Sequence, residues 1–333
     1  MGKFAKQLAM LVAVFFLCAA CQFLPELKSS PWQTVQLPSE ATVLDVSFAS
    51  RSHGWLVGTH TTLMETFDGG SNWEPRELAL DGIDYRLTSV SFQGDEGWIA
   101  GEPSILLHTL DGGQSWSRVS LSAKLPGSPL MIVATGPQSA ELTTDVGAIY
   151  ETQDEGRHWK ALVQEAFGVA RNIKRADDGS YVAVSSRGSF YSVWHPGMTA
   201  WEPHNRNSSR RIQSMGFDPQ GHLWMLVRGG QVQFSSGNAD IEESWLDPIN
   251  PQASVSVGLL DLAYRTPSEV WVSGGSGNLL CSFDGGQTWQ KDGSVANVPS
   301  NLYKILFFAP DQGFITGQDG ALLRYVGGVA QSA

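Results

Sequence analysis

Thr109-Leu110-Asp111-Gly112-Gly113-Gln114-Ser115-Trp116 states a frame, Ser/Thr-x-Asp-x-Gly-x-x-Trp, that returns along the chain. It stands again at Thr66 to Trp73, Thr152 to Trp159 and Ser282 to Trp289. The Trp that closes it belongs to a longer series: Trp32, Trp73, Trp116, Trp159, Trp201, Trp245 and Trp289, at intervals of 41 to 44 residues. Such a period marks a repeat architecture, and seven units use up the chain with no second domain left over. A second set of residues, Trp55, Trp98, Leu142, Trp224, Trp271 and Phe314, keeps the same period inside short apolar runs such as Gly54-Trp55-Leu56-Val57-Gly58.

Each unit divides into four short runs of Val, Ile, Leu and aromatic residues separated by Gly, Asp, Pro and Asn, as strands divided by turns should be. No sustained helical period follows the first twenty residues. Four strands in about 43 residues predict an all-β fold, a seven-bladed β-propeller with four antiparallel strands per blade. The last unit has only three strands, and the strand at Trp32 has no unit of its own. Joining them closes the ring and removes two free edges.

The N-terminus carries Lys3 and Lys6, then an apolar run from Leu8 to Leu17, then Leu17-Cys18-Ala19-Ala20-Cys21. That reads as a signal peptide, too short to span a membrane. The ending resembles a bacterial lipoprotein box with Cys21 as the acylated first residue. Ordinary cleavage after Ala20 is the alternative. The expected organisation is therefore a signal at 1–20, a lipid-anchored linker at 21–31, the propeller at 32–326 and a tail at 327–333. With Cys21 acylated, Cys281 has no disulfide partner and is expected as a small buried filler.

The repeated frame resembles the Asp-box of sialidases and sortilins. Its physics is local. Asp accepts backbone N–H groups, Gly supplies positive φ, and Trp covers the turn. Recurrence in several blades makes Asp68, Asp111, Asp154 and Asp284, with Trp73, Trp116, Trp159 and Trp289, structural turns and not a catalytic or calcium site. The units ending at Trp201 and Trp245 break the frame, with Pro196 in place of the Asp and Glu242 in place of the Gly. The seven His show no metal-ligand spacing, and no metal or cofactor is expected.

The chain carries 22 Lys+Arg against 33 Asp+Glu, a net charge of −11, which argues against nucleic acid as a partner. Its basic residues are concentrated. From Arg157 to Arg228 there are ten Lys+Arg and five Asp+Glu, net +5. Loops between blades share one end of a propeller with the turns between second and third strands. Arg171, Arg187, Arg206, Arg210, Arg211 and Arg228 are therefore expected together, opposite the Asp-box turns. Arg suits bidentate recognition of carboxylates. Alternation along the innermost strand of the fourth blade sends either Lys174 or Arg175 into the central channel.

The lipoprotein start, Trp32-Gln33-Thr34-Val35, the Gly-Trp-Leu-Val-Gly and Gly-Trp-Ile-Ala-Gly strands, the Asp-Gly-Gly-x-x-Trp turns, and Pro203 to Arg211 together resemble the photosystem II assembly and stability factor family of cyanobacteria and plastids. The resemblance covers residues 21 to 330. It implies a non-enzymatic, monomeric protein on the lumenal side of the thylakoid membrane, lipid-anchored as in cyanobacteria. It also implies that the protein binds the precursor of the D-one reaction-centre protein and early photosystem II assembly intermediates. The family's Arg patch falls here on Arg171, Arg175, Arg187, Arg206, Arg210 and Arg211. The competing class is an exported Asp-box propeller that binds or hydrolyses glycans. A free carboxylate pair in the ring's centre would favour it.

Overall fold

The computed structural model describes residues 24–206, 208–238, 245–251, 258–295, 298 and 300–327. The signal segment, Cys21, Asp240, Glu242 and the final residues lie outside the described residues. Seven small antiparallel sheets stand around a central channel. We letter the strands of each blade A to D from the channel outwards.

Strand β1 (Trp32–Thr34) comes first in sequence and belongs to the last blade. Blade one is β2 (Val43–Phe48), β3 (Gly54–Gly58), β4 (Leu63–Thr66) and β5 (Glu74–Pro75). Blade two is β6 (Arg86–Gln93), β7 (Glu96–Glu102), β8 (Ile105–Thr109) and β9 (Ser117–Arg118). Blade three is β10 (Pro129–Gly136), β11 (Ser139–Thr144), β12 (Ile149–Thr152) and β13 (Lys160–Ala161). Blade four is β14 (Ala170–Arg175), β15 (Tyr181–Ser185), β16 (Phe190–Trp194) and β17 (Glu202–Asn205). Blade five is β18 (Ile212–Phe217), β19 (His222–Val227) and β20 (Gln231–Asn238), with its outer edge met by isolated bridges at Trp245 and Ile249. Blade six is β21 (Leu259–Tyr264), β22 (Val270–Gly274), β23 (Leu279–Ser282) and β24 (Gln290–Lys291). Blade seven is β25 (Leu302–Ala309), β26 (Gln312–Gly317) and β27 (Leu322–Tyr325), completed by β1. Trp32 lies opposite Tyr325 and Thr34 opposite Leu323, so the first strand closes the ring as its sequence predicts.

The two aromatic series meet between blades. The Trp that follows strand C in one blade packs edge-on against the strand-B aromatic of the blade before. Trp116 meets Trp55 at 5.8 Å and 89°, Trp159 meets Trp98 at 6.1 Å and 78°, and Trp73 meets Phe314 at 6.2 Å and 79°. At the closure Trp32 meets Trp271 at 5.5 Å and 86°. Edge-to-face pairs are each worth about 0.5–1.5 kcal/mol beyond area burial. The apolar clusters follow suit: Trp55, Val57 and Leu63 of blade one pack with Leu87, Ile99, Ile105 and Leu107 of blade two.

Innermost strands of neighbouring blades are latched by side chains. Ser47 Oγ accepts the Phe92 amide at 3.0 Å, Asn172 Oδ1 accepts the Met215 amide at 3.1 Å, and Asp261 Oδ2 accepts the Ile305 amide at 3.0 Å. Cys281 on β23 is fully buried, and burial pushes its thiol pKa up, as befits an inert filler.

The two ends of the ring differ. Asp-box turns rest on A–B turns, shown by the bonds from Gly69 N to Ser52 O, Gly112 N to Asp95 O and Gly285 N to Ser268 O. At the other end B–C turns bind the links between blades, as in Ser186 N to Val169 O and Arg228 N to Arg211 O.

Candidate partner-binding face

The arginine face is built where blades four and five adjoin. Arg171 is the second residue of strand β14, just past the link from blade three. Arg187 caps the B–C turn of blade four. The link from β17 to β18 supplies Arg206, Arg210 and Arg211, and Arg228 begins the B–C turn of blade five. Backbone and guanidinium bonds knit these turns together. Arg171 donates to the Ser186 carbonyl from Nε (3.2 Å) and Nη2 (2.8 Å), and to Gln213 Oε1 from Nη1 (2.7 Å). Arg211 Nη1 donates to the Arg187 carbonyl at 2.6 Å, and the Ile212 amide to Gly188 O at 2.9 Å. Arg206 Nη1 donates to the Arg210 carbonyl at 3.1 Å.

The six Arg that the loop topology groups together do lie at one end, opposite the Asp-box turns. Among the described residues none of them forms an ion pair with a carboxylate. Five are exposed, and Arg206 is half-buried, its pKa lowered by burial. Three of the five acids of the same stretch, Asp177, Asp178 and Asp218, lie in A–B turns at the far end of blades four and five, while Glu165 lies in the link from blade three. Several like charges left unpaired at one place form a field that attracts an acidic ligand.

Arg175 and Lys174 are placed differently. Arg175 ends β14, at the opposite end from Arg171. Its Nε donates to Glu141 Oε2 at 2.8 Å, and its guanidinium stands 5.8 Å over the Tyr181 ring. Tyr181 OH donates to the same Glu141 oxygen at 2.6 Å. Arg175 is thus a neutralised, largely buried group, away from the other six. Lys174 is the member that enters the channel, where its Nζ lies 3.0 Å from Asp261 Oδ1 across blade five.

The channel holds a second such pair, Lys304 Nζ to Asp45 Oδ1 at 2.6 Å. Asp45 Oδ2 also accepts from Ser89 Oγ (3.1 Å) and the Val90 amide (3.2 Å). Both central carboxylates are therefore tied to ammonium groups and neighbouring strands. A glycosidase's free carboxylate pair is not what these two residues supply. No group of three or more His, Cys, Asp or Glu among the described residues is arranged to hold a metal ion.

The Asp-box turns have the predicted local chemistry. Asp111 Oδ1 accepts the Ser115 amide (2.9 Å) and Thr109 Oγ1 (2.6 Å), and Oδ2 accepts Ser115 Oγ (2.6 Å). The side-chain bonds from Ser115 and Thr109 and the Ser115 amide bond pull its pKa down to about 2. His158 does the same for Asp154, also to about 2, through its side chain and amide. Asp68 and Asp284 accept equivalent amide bonds from Asn72 and Thr288.

Three features of the face escape the sequence reading. Val169 stands exposed beside Ser186, at the end of the link from blade three. Gln213 receives Arg171. A cavity of about 330 Å³ opens beside Arg206, walled by Tyr191, His204, Gln233 and Trp245. His204 there is 6% exposed and stacks on Tyr191 at 4.9 Å and 8°. The breakdown of the Asp-box frame at Trp201 and Trp245 is, beside the concentration of Arg, a sequence signal that these two blades are specialised.

The chain is a seven-bladed propeller whose family can be stated. The model of the photosynthesis system II assembly factor YCF48 family matches residues 24–326, so the chain belongs to that family. It is 65% identical over 303 residues to the photosystem II assembly protein Ycf48 of Thermosynechococcus vestitus, covering 91% of this chain and 87% of that one. It is 58% identical over 324 residues to the photosystem II assembly lipoprotein Ycf48 of Trichormus variabilis, covering 97% and 95%. A solved structure described as YCF48 bound to D1 peptide superposes with a TM-score of 0.89 at 64% identity, covering 92% of this chain and 98% of that one.

Proposed function

We propose that this protein holds newly made D1 reaction-centre protein (D-one) during photosystem II assembly, through the arginine face of blades four and five. The observation that carries the reading is the set of six guanidinium groups gathered at one end without carboxylate partners among the described residues. Photosystem II assembly is the role for which its relatives are named, and a D1 peptide is the ligand of the similar solved structure. The recognised segment is acidic, a lumenal stretch or C-terminal tail of the D1 precursor. Binding is non-covalent and reversible, with no chemistry performed on the partner. The protein works as a monomer on the lumenal side of the thylakoid membrane, tethered by acylated Cys21.

Exposed charge pairs contribute about 0–1 kcal/mol each, so several arginines act together. Their sum is screened by salt over a Debye length of about 8–10 Å. Titration calorimetry with the C-terminal segment of the D1 precursor tests this. Affinity should fall several-fold between low and moderate salt. Affinity indifferent to salt would contradict an arginine-led site.

A further inference from the structure

We propose that the Asp-box end of blades seven, one and two rests on a lipid bilayer. Phe67, Leu110 and Phe308 enter its interface, and the arginine face is turned away from it. The proposal rests on the reading of Cys21 as a lipid anchor.

The path of the chain into the ring is the first observation. Glu26 runs parallel to Lys291 at the outer edge of blade six. The Lys291 amide donates to Pro25 O at 2.9 Å, and the Leu27 amide to Lys291 O at 2.9 Å. Moving back along the chain, Leu24 packs on the cluster that contains Trp289, the Trp closing the Asp-box of blade six. The chain therefore comes in at the Asp-box end. Cys21 is three residues further back, within about 11 Å of Leu24 even fully extended. A lipid on Cys21 brings this end of the ring to the membrane.

The second observation is which side chains the same end displays. The second position of the Asp-box points outward in blades one to three, whereas in blade six Phe283 packs back on the core beside Trp271. The position is Phe67 in blade one, 60% exposed, and Leu110 in blade two, 57% exposed. In blade three the position is polar Gln153. Phe308, 39% exposed, comes from the end of strand β25 beside the A–B turn of blade seven and packs on Phe48 at 5.1 Å. The large apolar groups thus occupy neighbouring blades, beginning next to the blade where the chain enters. The exposed apolar residues at the other end, Ile83, Val169 and Tyr303, lie in three separate links or strand starts.

Two carboxylates at this end are held within their own turns and a third is paired, while Asp95 stands exposed in the A–B turn of blade two. The Asp68 and Asp111 carboxylates are bound by their own turns, and Arg51 is paired with Asp311 beside Phe308. Among the described residues no helix is long and apolar enough to cross a membrane, so the anchor supplies attachment and these side chains supply orientation. Aromatic and large aliphatic groups favour the headgroup boundary. The consequence is a binding face that looks into the aqueous lumen, suited to a segment reaching out from the bilayer.

The test uses the mature chain from residue 21, coupled through the Cys21 thiol to a maleimide lipid in phosphatidylcholine vesicles. Cys281 is buried and does not compete. A fluorescent amino acid is placed at position 110 or at position 187, and a bromine-labelled lipid quenches it. Quenching at 110 should exceed that at 187 roughly threefold or more, because only the former reaches the interface. In Phe67→Ser the excess should shrink. Equal quenching at both positions, or more at 187, would overturn the proposal. The chemical tether makes this outcome independent of native acylation. The mass of the N-terminal peptide from the native host tests that separately, and an unmodified Cys21 there would overturn the anchor reading.

Discussion

The guanidinium of Arg171 clasps the carbonyl of Ser186 with two N–H groups, at 3.2 and 2.8 Å. The clasp joins the start of the innermost strand of blade four to the turn that carries Arg187. Arg171 therefore positions its neighbour as well as adding charge. In Arg171→Ala the amides of residues 186–189 should exchange hydrogen several-fold faster, read by mass spectrometry, whereas Arg187→Ala should leave them unchanged. Equal exchange in both variants would reduce Arg171 to a charge.

Each Asp-box should behave as an independent structural turn. Asp111→Ala removes three hydrogen bonds from an exposed hairpin and should cost about 1–2 kcal/mol, read by chemical denaturation. Binding to D1 peptide should be unchanged, since this turn lies at the opposite end from the arginines. Loss of binding with stability intact would contradict the division of roles between the two ends.

The same carboxylates set an acid limit. A carboxylate with a folded pKa of about 2, as at Asp111 and Asp154, stabilises the fold above its unfolded value near 3.9. That contribution disappears as pH falls from about 4 towards 2. Stability measured against pH should drop through this window, and Asp111→Asn should flatten part of the drop. A profile unchanged in that variant would remove Asp111 from the acid response.

Blade contacts should be unforgiving where Asp-box and strand-B Trp interlock. A Cβ at Gly113 would lie 2.3 Å from Trp55 Cζ2, and its φ of 93° already disfavours any other residue. Gly113→Ala should destabilise by well over the ~1 kcal/mol typical of a strained glycine site. Trp55→Ala, which empties a fully buried position, should cost about 3–5 kcal/mol. Thermal unfolding checks both, and wild-type melting of Gly113→Ala would contradict this packing.

Much of the fold was legible because propeller geometry writes itself into spacing. The Trp series and the one-strand offset between the termini carry blade number and closure, since each blade must bury the same aromatic at the same place. The candidate face was legible from loop topology for six arginines. Arg175 was not, because what distinguishes it from Arg171 is a partner, Glu141, that lies 34 residues away in sequence. The cavity at His204 and Tyr191 was hidden for a similar reason: its walls come from two blades whose repeat signal is broken. Lys174 and Asp261 meet across the channel, 87 residues apart, and no local pattern announces such a pair.

The central claim is that the arginine face holds the partner. The most direct measurement is binding of the C-terminal segment of the D1 precursor to wild type and to Arg210→Glu/Arg211→Glu, with circular dichroism to verify the fold. The account predicts salt-sensitive binding by wild type and loss of at least about tenfold in the variant, the sum of several weak pairs turned repulsive. Equal binding by a folded variant would contradict it and move the site away from blades four and five.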